Sequence, residues 1–189
     1  MYICRLKTGH GMKPLKAYNI PFVGLKLGKH RFEYQIDKKF FEYFEYDDFN
    51  DIAIDVDLVF DKKTTLMELD FKIKGTANVN CDTTDEPYEQ PLGGSFHLIV
   101  KFGEAYNDEN EDILIIPHGE HEINVAQYIY ELIVLSMPIK REHPGIADGT
   151  LQSDILKRLE ELRPQGNHKE NEEDIDPRWN TLKKLLTDK

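Results

Sequence analysis

The sequence predicts an α+β fold: a curled antiparallel β-sheet or partly open barrel of about six to seven strands, with a covering helix and a helical C-terminal tail. Three observations lead to this prediction. Apolar and polar residues alternate over 51–60 and 64–81, as in strands with one buried face. Residues 124–137 place apolar side chains at helical spacing. Residues 176–189 form a short amphipathic pattern behind a charged stretch.

The first strands are predicted near the N-terminus. Residues 17–27 have a strand-like pattern whose parity shifts between Pro21 and Gly24, which is typical of an edge strand or a bulge. Residues 30–36 alternate without interruption. The two patterns predict an irregular strand followed by a regular one.

A cluster of phenylalanines follows Asp37, which is a favourable N-cap. Phe40, Phe41 and Phe44 fall at helical spacing, so a short helix or helical turn is predicted here. Such a cluster either fills the core of a small sheet or provides a platform on which bases stack.

The longest predicted element is an antiparallel hairpin over 64–102. Its first arm alternates as far as Cys81, and its second arm begins at Ser95. The connector between them, 81–94, is rich in Asp, Thr, Pro and Gly, which predicts a tip without strand structure.

The remaining elements follow the hairpin. An acidic stretch over 103–112 predicts a solvated loop, since its spacing lacks the features of a calcium-binding loop. A short apolar strand over 113–116 comes next. Asn124 and Gln127 then predict a capping box for the covering helix, which Pro138 ends.

The composition changes after this helix. Leucines and isoleucines at helical spacing over 151–162 predict another helix, and Pro177 just after Asp176 predicts the start of the tail helix. The tail helix either docks on its own domain or binds a partner. The predicted organisation is a flexible extension or start-site artefact at 1–11, a β-rich domain at 12–144, a helix at 145–164, an acidic linker at 165–175 and an amphipathic tail helix at 176–189.

The charge is unevenly distributed along the chain. The net charge is −11, but residues 1–41 contain nine Lys or Arg and two acidic residues. This basic segment is either a solvated arm or a patch that contacts phosphates. Two cysteines and no long apolar stretch predict a reducing, cytoplasmic location without membrane insertion. No catalytic or cofactor motif is present, so no enzyme activity and no cofactor are predicted.

Three motifs in a fixed order resemble one known family. They are N-C-D at 80–82, L-S-M-P-I at 135–139 with His143-Pro144, and D-P-R-W-N-T-L at 176–182. In order and spacing they are similar to the YceD family, the large ribosomal RNA subunit accumulation proteins, in the form seen in Bacteroidota-type bacteria. The resemblance covers roughly residues 13–189.

The resemblance implies a non-enzymatic ribosome-biogenesis factor for the accumulation or processing of large-subunit rRNA. Many members carry C-x-x-C at the hairpin tip and are described as possible metal and nucleic-acid binders. Here Cys81 remains as the remnant of that motif, while Thr84 stands in place of the second cysteine. One cysteine cannot anchor a tetrahedral zinc site, so no metal is expected.

Two functions follow as expectations. The first is binding of large-subunit rRNA or a ribosomal protein, and the alternative is an adaptor or chaperone for a basic ribosomal protein without direct RNA contact. The oligomeric state is left open. The RNA-binding candidates are Lys13, Lys16, Lys26, Lys29, Arg31, Lys38, Lys39, Lys140 and Arg141. The partner-docking candidates are Pro177, Arg178, Trp179, Leu182 and Leu186.

Overall fold

The computed structural model describes residues 15–163. These residues belong to two compact units that divide between Leu151 and Gln152. The predicted extension at 1–11, the acidic linker and the tail helix lie outside the described residues, as do Lys13 and the five partner-docking candidates.

The described residues form eight strands and four α-helices, with two short 3₁₀ turns near the start. The strands are β1 (Asn19–Ile20), β2 (Gly28–Ile36), β3 (Asp51–Lys62), β4 (Leu66–Asn80), β5 (Pro87–Gly103), β6 (Asn107–Asn110), β7 (Ile113–Pro117) and β8 (Ile123–Asn124). The helices are α1 (Lys38–Glu42), α2 (Ala126–Leu135), α3 (Pro144–Ala147) and α4 (Asp154–Leu162).

The predicted α+β class is confirmed, and the main sheet has six strands in the order β2-β3-β4-β5-β7-β6. β1 and β8 form a separate two-stranded sheet. The main sheet does not close into a barrel, and it is mixed because β7 runs parallel to β5. After β5 the chain reverses to form β6 at the edge and reverses again to form β7 between β6 and β5, which makes β7 parallel to β5.

The long hairpin is confirmed as the centre of the sheet. β3, β4 and β5 pair over their whole shared length, and their inward side chains form the core. Leu58, Phe60, Leu69 and Phe71 are completely buried in it. The alternation seen in the sequence therefore identified the buried face of each of these strands.

The predicted connector is too long, because β5 begins at Pro87 and the tip covers only 81–86. The prolines and glycines after the tip lie within the strand. β7 pairs with β5 only from Ile99 onwards, so residues 87–98 have a sheet neighbour on one side alone. Proline is tolerated at such positions because its missing N–H is not needed by a second neighbour.

The N-terminal strand prediction is wrong for most of 17–27. The segment forms 3₁₀ turns at Lys16–Tyr18 and Phe22–Gly24, separated by the two-residue β1. Lys62 holds the second turn, because its Nζ donates to the carbonyl oxygens of Phe22 and Leu25 at 2.8 and 2.9 Å. The parity shift in the sequence marks this departure from regular strand geometry.

The acidic loop prediction is also corrected, because part of it forms β6. The strand is irregular: its register shifts between Asn107 and Asn110. Both asparagine side chains accept hydrogen bonds from backbone N–H groups two residues ahead, at Glu109 and Asp112. Such local bonds compete with sheet pairing, and residues that form them are typical of loops. The sequence of this segment therefore predicts a loop.

The short helix after Asp37 is confirmed, and the Asp37 side chain caps it by accepting from the backbone N–H of Phe40. Phe40 and Phe41 are buried in the core. Phe44 stacks on Tyr130 of α2 with ring centroids 4.3 Å apart. The phenylalanine cluster therefore fills the core and is not an open base-stacking platform.

The covering helix α2 packs on β4 and β5 through Ile129 and Ile133, which are completely buried. It begins at Ala126, later than the predicted capping box requires. The Asn124 side chain accepts from the backbone N–H of Ala126, while Gln127 bonds to Glu131 along the helix and does not reach back. The capping box is therefore wrong, although the asparagine does satisfy a free N–H at the helix start.

The second unit contributes α4 to the described residues. Ser153 caps it by accepting from the backbone N–H of Ile155, which places its start after the predicted Leu151. The apolar side chains that predicted this helix, including Leu159 and Leu162, are exposed. The first unit contains the short helix α3, which begins at Pro144 after the His143 cap, so the predicted helical segment 145–164 comprises two separate helices, α3 and α4.

Candidate functional site

A groove of about 950 Å³ runs over the outward face of β2–β5. It is open because β5 contributes small residues to this face: Gly93 lies opposite Lys74, and Ser95 lies opposite Lys72. The groove is lined by Arg31, Glu33, Tyr34, Gln35, Asp55, Val56, Asp57, Lys72, Ile73, Lys74, Gly94 and Ser95.

The charges in this groove balance, with three cations and three carboxylates among the lining residues. Arg31 makes two hydrogen bonds to Asp57, from Nε at 2.7 Å and from Nη2 at 2.9 Å. These bonds and the charge of Asp57 raise the pKa of Arg31. A balanced groove lacks the excess positive charge that favours phosphate binding.

Lys72 and Lys74 are groove cations that are not among the RNA-binding candidates predicted from the sequence. They face Asp57 and Asp55 across the β3–β4 ladder. Their position on the polar parity of β4 was the available indication, since the wet faces of neighbouring strands share one surface.

The eight described RNA-binding candidates fall into two groups. Three are held by carboxylates: Arg31 by Asp57, Lys140 by Glu142 at 2.5 Å and Arg141 by Asp82 at 3.3 Å. The other five have no carboxylate within ion-pair distance among residues 15–163, and we call them the unpaired lysines: Lys16, Lys26, Lys29, Lys38 and Lys39.

The unpaired lysines lie at the two ends of β2. Lys26 and Lys29 are at its start. Lys38 and Lys39 follow its end, and Tyr18 connects Lys16 to them by packing on Tyr34 and Phe40 at 5.1 Å. A nine-residue strand is about 30 Å long. The structure therefore brings three of the five lysines to one end and leaves two at the other.

The tip of the long hairpin is docked on the segment that follows α2. The backbone N–H of Asp82 donates to the carbonyl of Arg141 at 2.8 Å, and the backbone N–H of Arg141 donates to the Asp82 carboxylate at 2.8 Å. The Arg141 side chain adds a longer contact to the same carboxylate. This pair of chain segments brings Cys81 to His143, whose backbone N–H donates to Sγ at 3.3 Å.

Cys81 is buried, and its environment favours the thiolate. Burial raises the pKa of the thiol, but the Thr84 hydroxyl and backbone N–H groups of His143, Thr83 and Thr84 oppose this effect, and the net result is a lowered pKa. Thr84 Oγ1 is itself buried and lies outside hydrogen-bonding geometry. The lowered pKa of Cys81 therefore depends mainly on the backbone N–H donors.

Thr84 lies at the tip together with Cys81, where the resemblance places the second cysteine of C-x-x-C. Its side chain is buried. Within 15–163, no three His, Cys, Asp or Glu side chains are grouped as metal ligands. His118 and His121, which are three residues apart in the sequence, are exposed.

Comparison with known proteins identifies the family. A family model described as "Large ribosomal RNA subunit accumulation protein YceD" matches residues 69–186, well over half of the chain. The chain therefore belongs to the YceD family. No curated protein and no solved structure matches it significantly.

The family description names an accumulation protein for large ribosomal RNA and not an enzyme. The matched residues include most of the long hairpin, the docked tip, α2 and Lys140–Arg141. The unpaired lysines at 16–39 precede the matched region. In the part of the chain that the structure describes, no helix has the length and apolar character to cross a bilayer.

Proposed function

We propose that this protein supports the accumulation or processing of large-subunit rRNA by binding RNA, without catalysing a reaction. The observation that carries the proposal is the family match over 69–186. A binding factor of this kind protects or orders its RNA and needs no reactive group. The same role would place it in the cytoplasm, with the rRNA.

The unpaired lysines are our proposed RNA contacts. A lysine that a carboxylate already holds gains less from a phosphate, because the existing ion pair must be broken first. Arg31, Lys140 and Arg141 have such partners, whereas among residues 15–163 no carboxylate pairs with Lys16, Lys26, Lys29, Lys38 or Lys39. All five lie in 1–41, where nine Lys or Arg accompany only two acidic residues, and on a chain of net charge −11 this segment is the local exception that favours a phosphate backbone.

Charge reversal of Lys16, Lys38 and Lys39, the three unpaired lysines at the end of β2, tests this proposal. We expect the variant K16E/K38E/K39E to bind a large-subunit rRNA fragment more weakly than the wild type at low salt. Three lost phosphate contacts should reduce the slope of log K against log salt by about two, since each contributes roughly 0.7 on single-stranded RNA.

A matched control is K72E/K74E/K101E, which changes the net charge by the same amount on exposed lysines of β4 and β5. We expect its RNA affinity to fall less than that of K16E/K38E/K39E. Equal losses in both variants would contradict a defined lysine site, because net charge alone would then explain the effect.

The second candidate is an adaptor that holds a basic ribosomal protein. The observation that favours it is the strong acidity of the chain after residue 41, which contains fifteen Lys or Arg and thirty-three acidic residues. Acidic side chains at the β6 edge, among them Asp108 and Glu109, are all exposed. The tail residues Pro177, Arg178, Trp179, Leu182 and Leu186 are its proposed docking element.

Purification of a tagged copy from its own cells separates the two candidates. RNA binding predicts recovery of large-subunit rRNA that is lost after nuclease treatment and in K16E/K38E/K39E. The adaptor predicts a basic ribosomal protein that survives nuclease treatment and is lost when 165–189 are deleted. Recovery of that protein together with unmeasurable affinity for rRNA at low salt would replace the first proposal by the second.

A further inference from the structure

One border of the main sheet is a long regular strand, β2, which pairs with only one other strand among the described residues. β2 pairs with β3 over nine consecutive residues with no register shift. Within 15–163, no other backbone group hydrogen-bonds to the backbone of β2. Every second residue of β2 therefore directs an N–H and a C=O away from the sheet, which is the arrangement that pairs with another strand.

The opposite border, β6, shows how this fold protects an edge. It has only four residues, its register is irregular, and it carries acidic side chains. Short length, irregularity and charge all prevent edge-to-edge pairing. β2 has no proline and no bulge, and its charged side chains, Lys29, Arg31 and Glu33, are confined to the outward face.

The inward side chains of β2 are incompletely covered. Phe32 and Tyr34 point to the core side but are only half-buried, as is His30. Their neighbours across the ladder on β3, including Val56 and Leu58, are fully buried. One further strand beside β2 would cover the aromatic pair in the way that β2 covers β3.

We propose that β2 pairs antiparallel with β2 of a second copy of this chain, and that Phe32 lies opposite Phe32 across a twofold axis. The two six-stranded sheets would then join into one continuous sheet. This inference concerns the edge of the sheet alone and does not depend on RNA binding.

The charges on the outward face select this register. With Phe32 at the axis, Arg31 of each copy lies opposite Glu33 of the other. Moving the axis by one residue places Arg31 opposite Arg31 or Glu33 opposite Glu33, which brings like charges together. Both side chains are exposed, over 64% and 72% of their side-chain surface, although Arg31 also bonds to Asp57 on β3.

The expected dimer is weak. Nine residues a side is less than the 20–30 residues, roughly, of a standard stable interface. Association should therefore depend on concentration and should be visible by sedimentation velocity at high protein concentration.

Charge exchange at two positions tests the inference. R31E and E33R each place like charges opposite one another twice, and we expect each variant to raise the dimer dissociation constant about tenfold or more. An equimolar mixture of R31E and E33R should form a heterodimer, because the two acidic side chains at 31 and 33 of one strand then lie opposite the two basic side chains at 33 and 31 of the other. The double variant R31E/E33R should dimerise as the wild type does.

K101E is the matched control, since it makes the same charge change on an exposed residue of β5. It should dimerise as the wild type does, and all variants should keep the wild-type circular dichroism spectrum. A wild-type chain that stays monomeric into the millimolar range would overturn the inference. So would single variants that dimerise normally, or a mixture that does not recover association.

Discussion

At the residue scale, three glycines of the long hairpin have different roles. A Cβ on Gly75 would lie 2.1 Å from the backbone oxygen of Ala53, and a Cβ on Gly94 would lie 2.5 Å from Ser136 Oγ on α2. At Gly93, by contrast, the nearest atom is a backbone oxygen at 3.7 Å, which is an ordinary contact. The first two glycines allow close approach of a strand and of a helix, and the third only leaves the groove open.

This difference predicts the effect of adding one methyl group. G75A should lower the free energy of unfolding by about 1–3 kcal/mol, because the β3 backbone must shift to make room. The control G93A should change it by less than about 0.5 kcal/mol. Urea denaturation followed by circular dichroism measures both, and similar values for the two variants would contradict the close approach at Gly75.

At the element scale, regular strands were predictable and their borders were not. Alternation identified β2, β3 and β4 because one face of each is buried and the other is wet. The first part of β5 was missed because Pro87, Pro91 and the Gly93–Gly94 pair are unusual in a strand. These residues are tolerated because the pairing of β5 with β7 begins only at Ile99 of β5. That limit is a feature of the tertiary structure, which the local sequence does not contain.

The candidate site was predictable only in part, for the same reason. The lysine-rich composition of 16–39 is visible in the sequence. Which cations are neutralised is not, because Arg31 meets Asp57 and Arg141 meets Asp82 only after strands distant in sequence are brought together. Lys72 and Lys74 were overlooked because a groove arises from several wet strand faces, and no single strand reveals it.

The docked hairpin tip makes an element-scale prediction. The Asp82 carboxylate accepts from both the backbone and the side chain of Arg141, whereas the Arg141 side chain provides only the longer contact. D82A should therefore destabilise the protein by about 1–2 kcal/mol, and R141A by at most about 1 kcal/mol. D82A should also speed amide hydrogen exchange at Arg141. A larger loss in R141A than in D82A would contradict this assignment.

At the scale of the whole molecule, two half-buried tyrosines, Tyr34 and Tyr46, predict instability at high pH. Burial, and then the neighbouring phenol of Tyr18, raise the pKa of Tyr34 to about 12. Burial and the charge of Asp48 raise the pKa of Tyr46 to about 12. Both tyrosines ionise near 10 when the chain is unfolded, so the unfolded state binds fewer protons than the folded state above that pH.

The free energy of unfolding should therefore be unaffected by these groups below pH 10 and should fall between about pH 10 and about pH 12. Urea midpoints across this range measure the effect. Y34F keeps the aromatic ring but cannot ionise, so its midpoint should fall less steeply. A wild type and a Y34F variant with identical pH profiles would contradict the raised pKa of Tyr34.

The chain combines an apolar sheet core with an uneven charge. Apolar side chains on β3, β4 and β5 form one core, which α2 covers at β4 and β5, and the lysine-rich segment 16–39 precedes an acidic remainder. This distribution suits a protein that contacts RNA over a limited surface and repels it elsewhere. Family membership gives that contact its proposed target, the large-subunit rRNA.

The most direct measurement is the ratio of large-subunit to small-subunit rRNA in cells from which this protein is depleted. We predict that the ratio falls on depletion, recovers with the wild-type chain and recovers less with K16E/K38E/K39E at equal protein level. A ratio that does not change on depletion would contradict the proposed role in large-subunit rRNA accumulation.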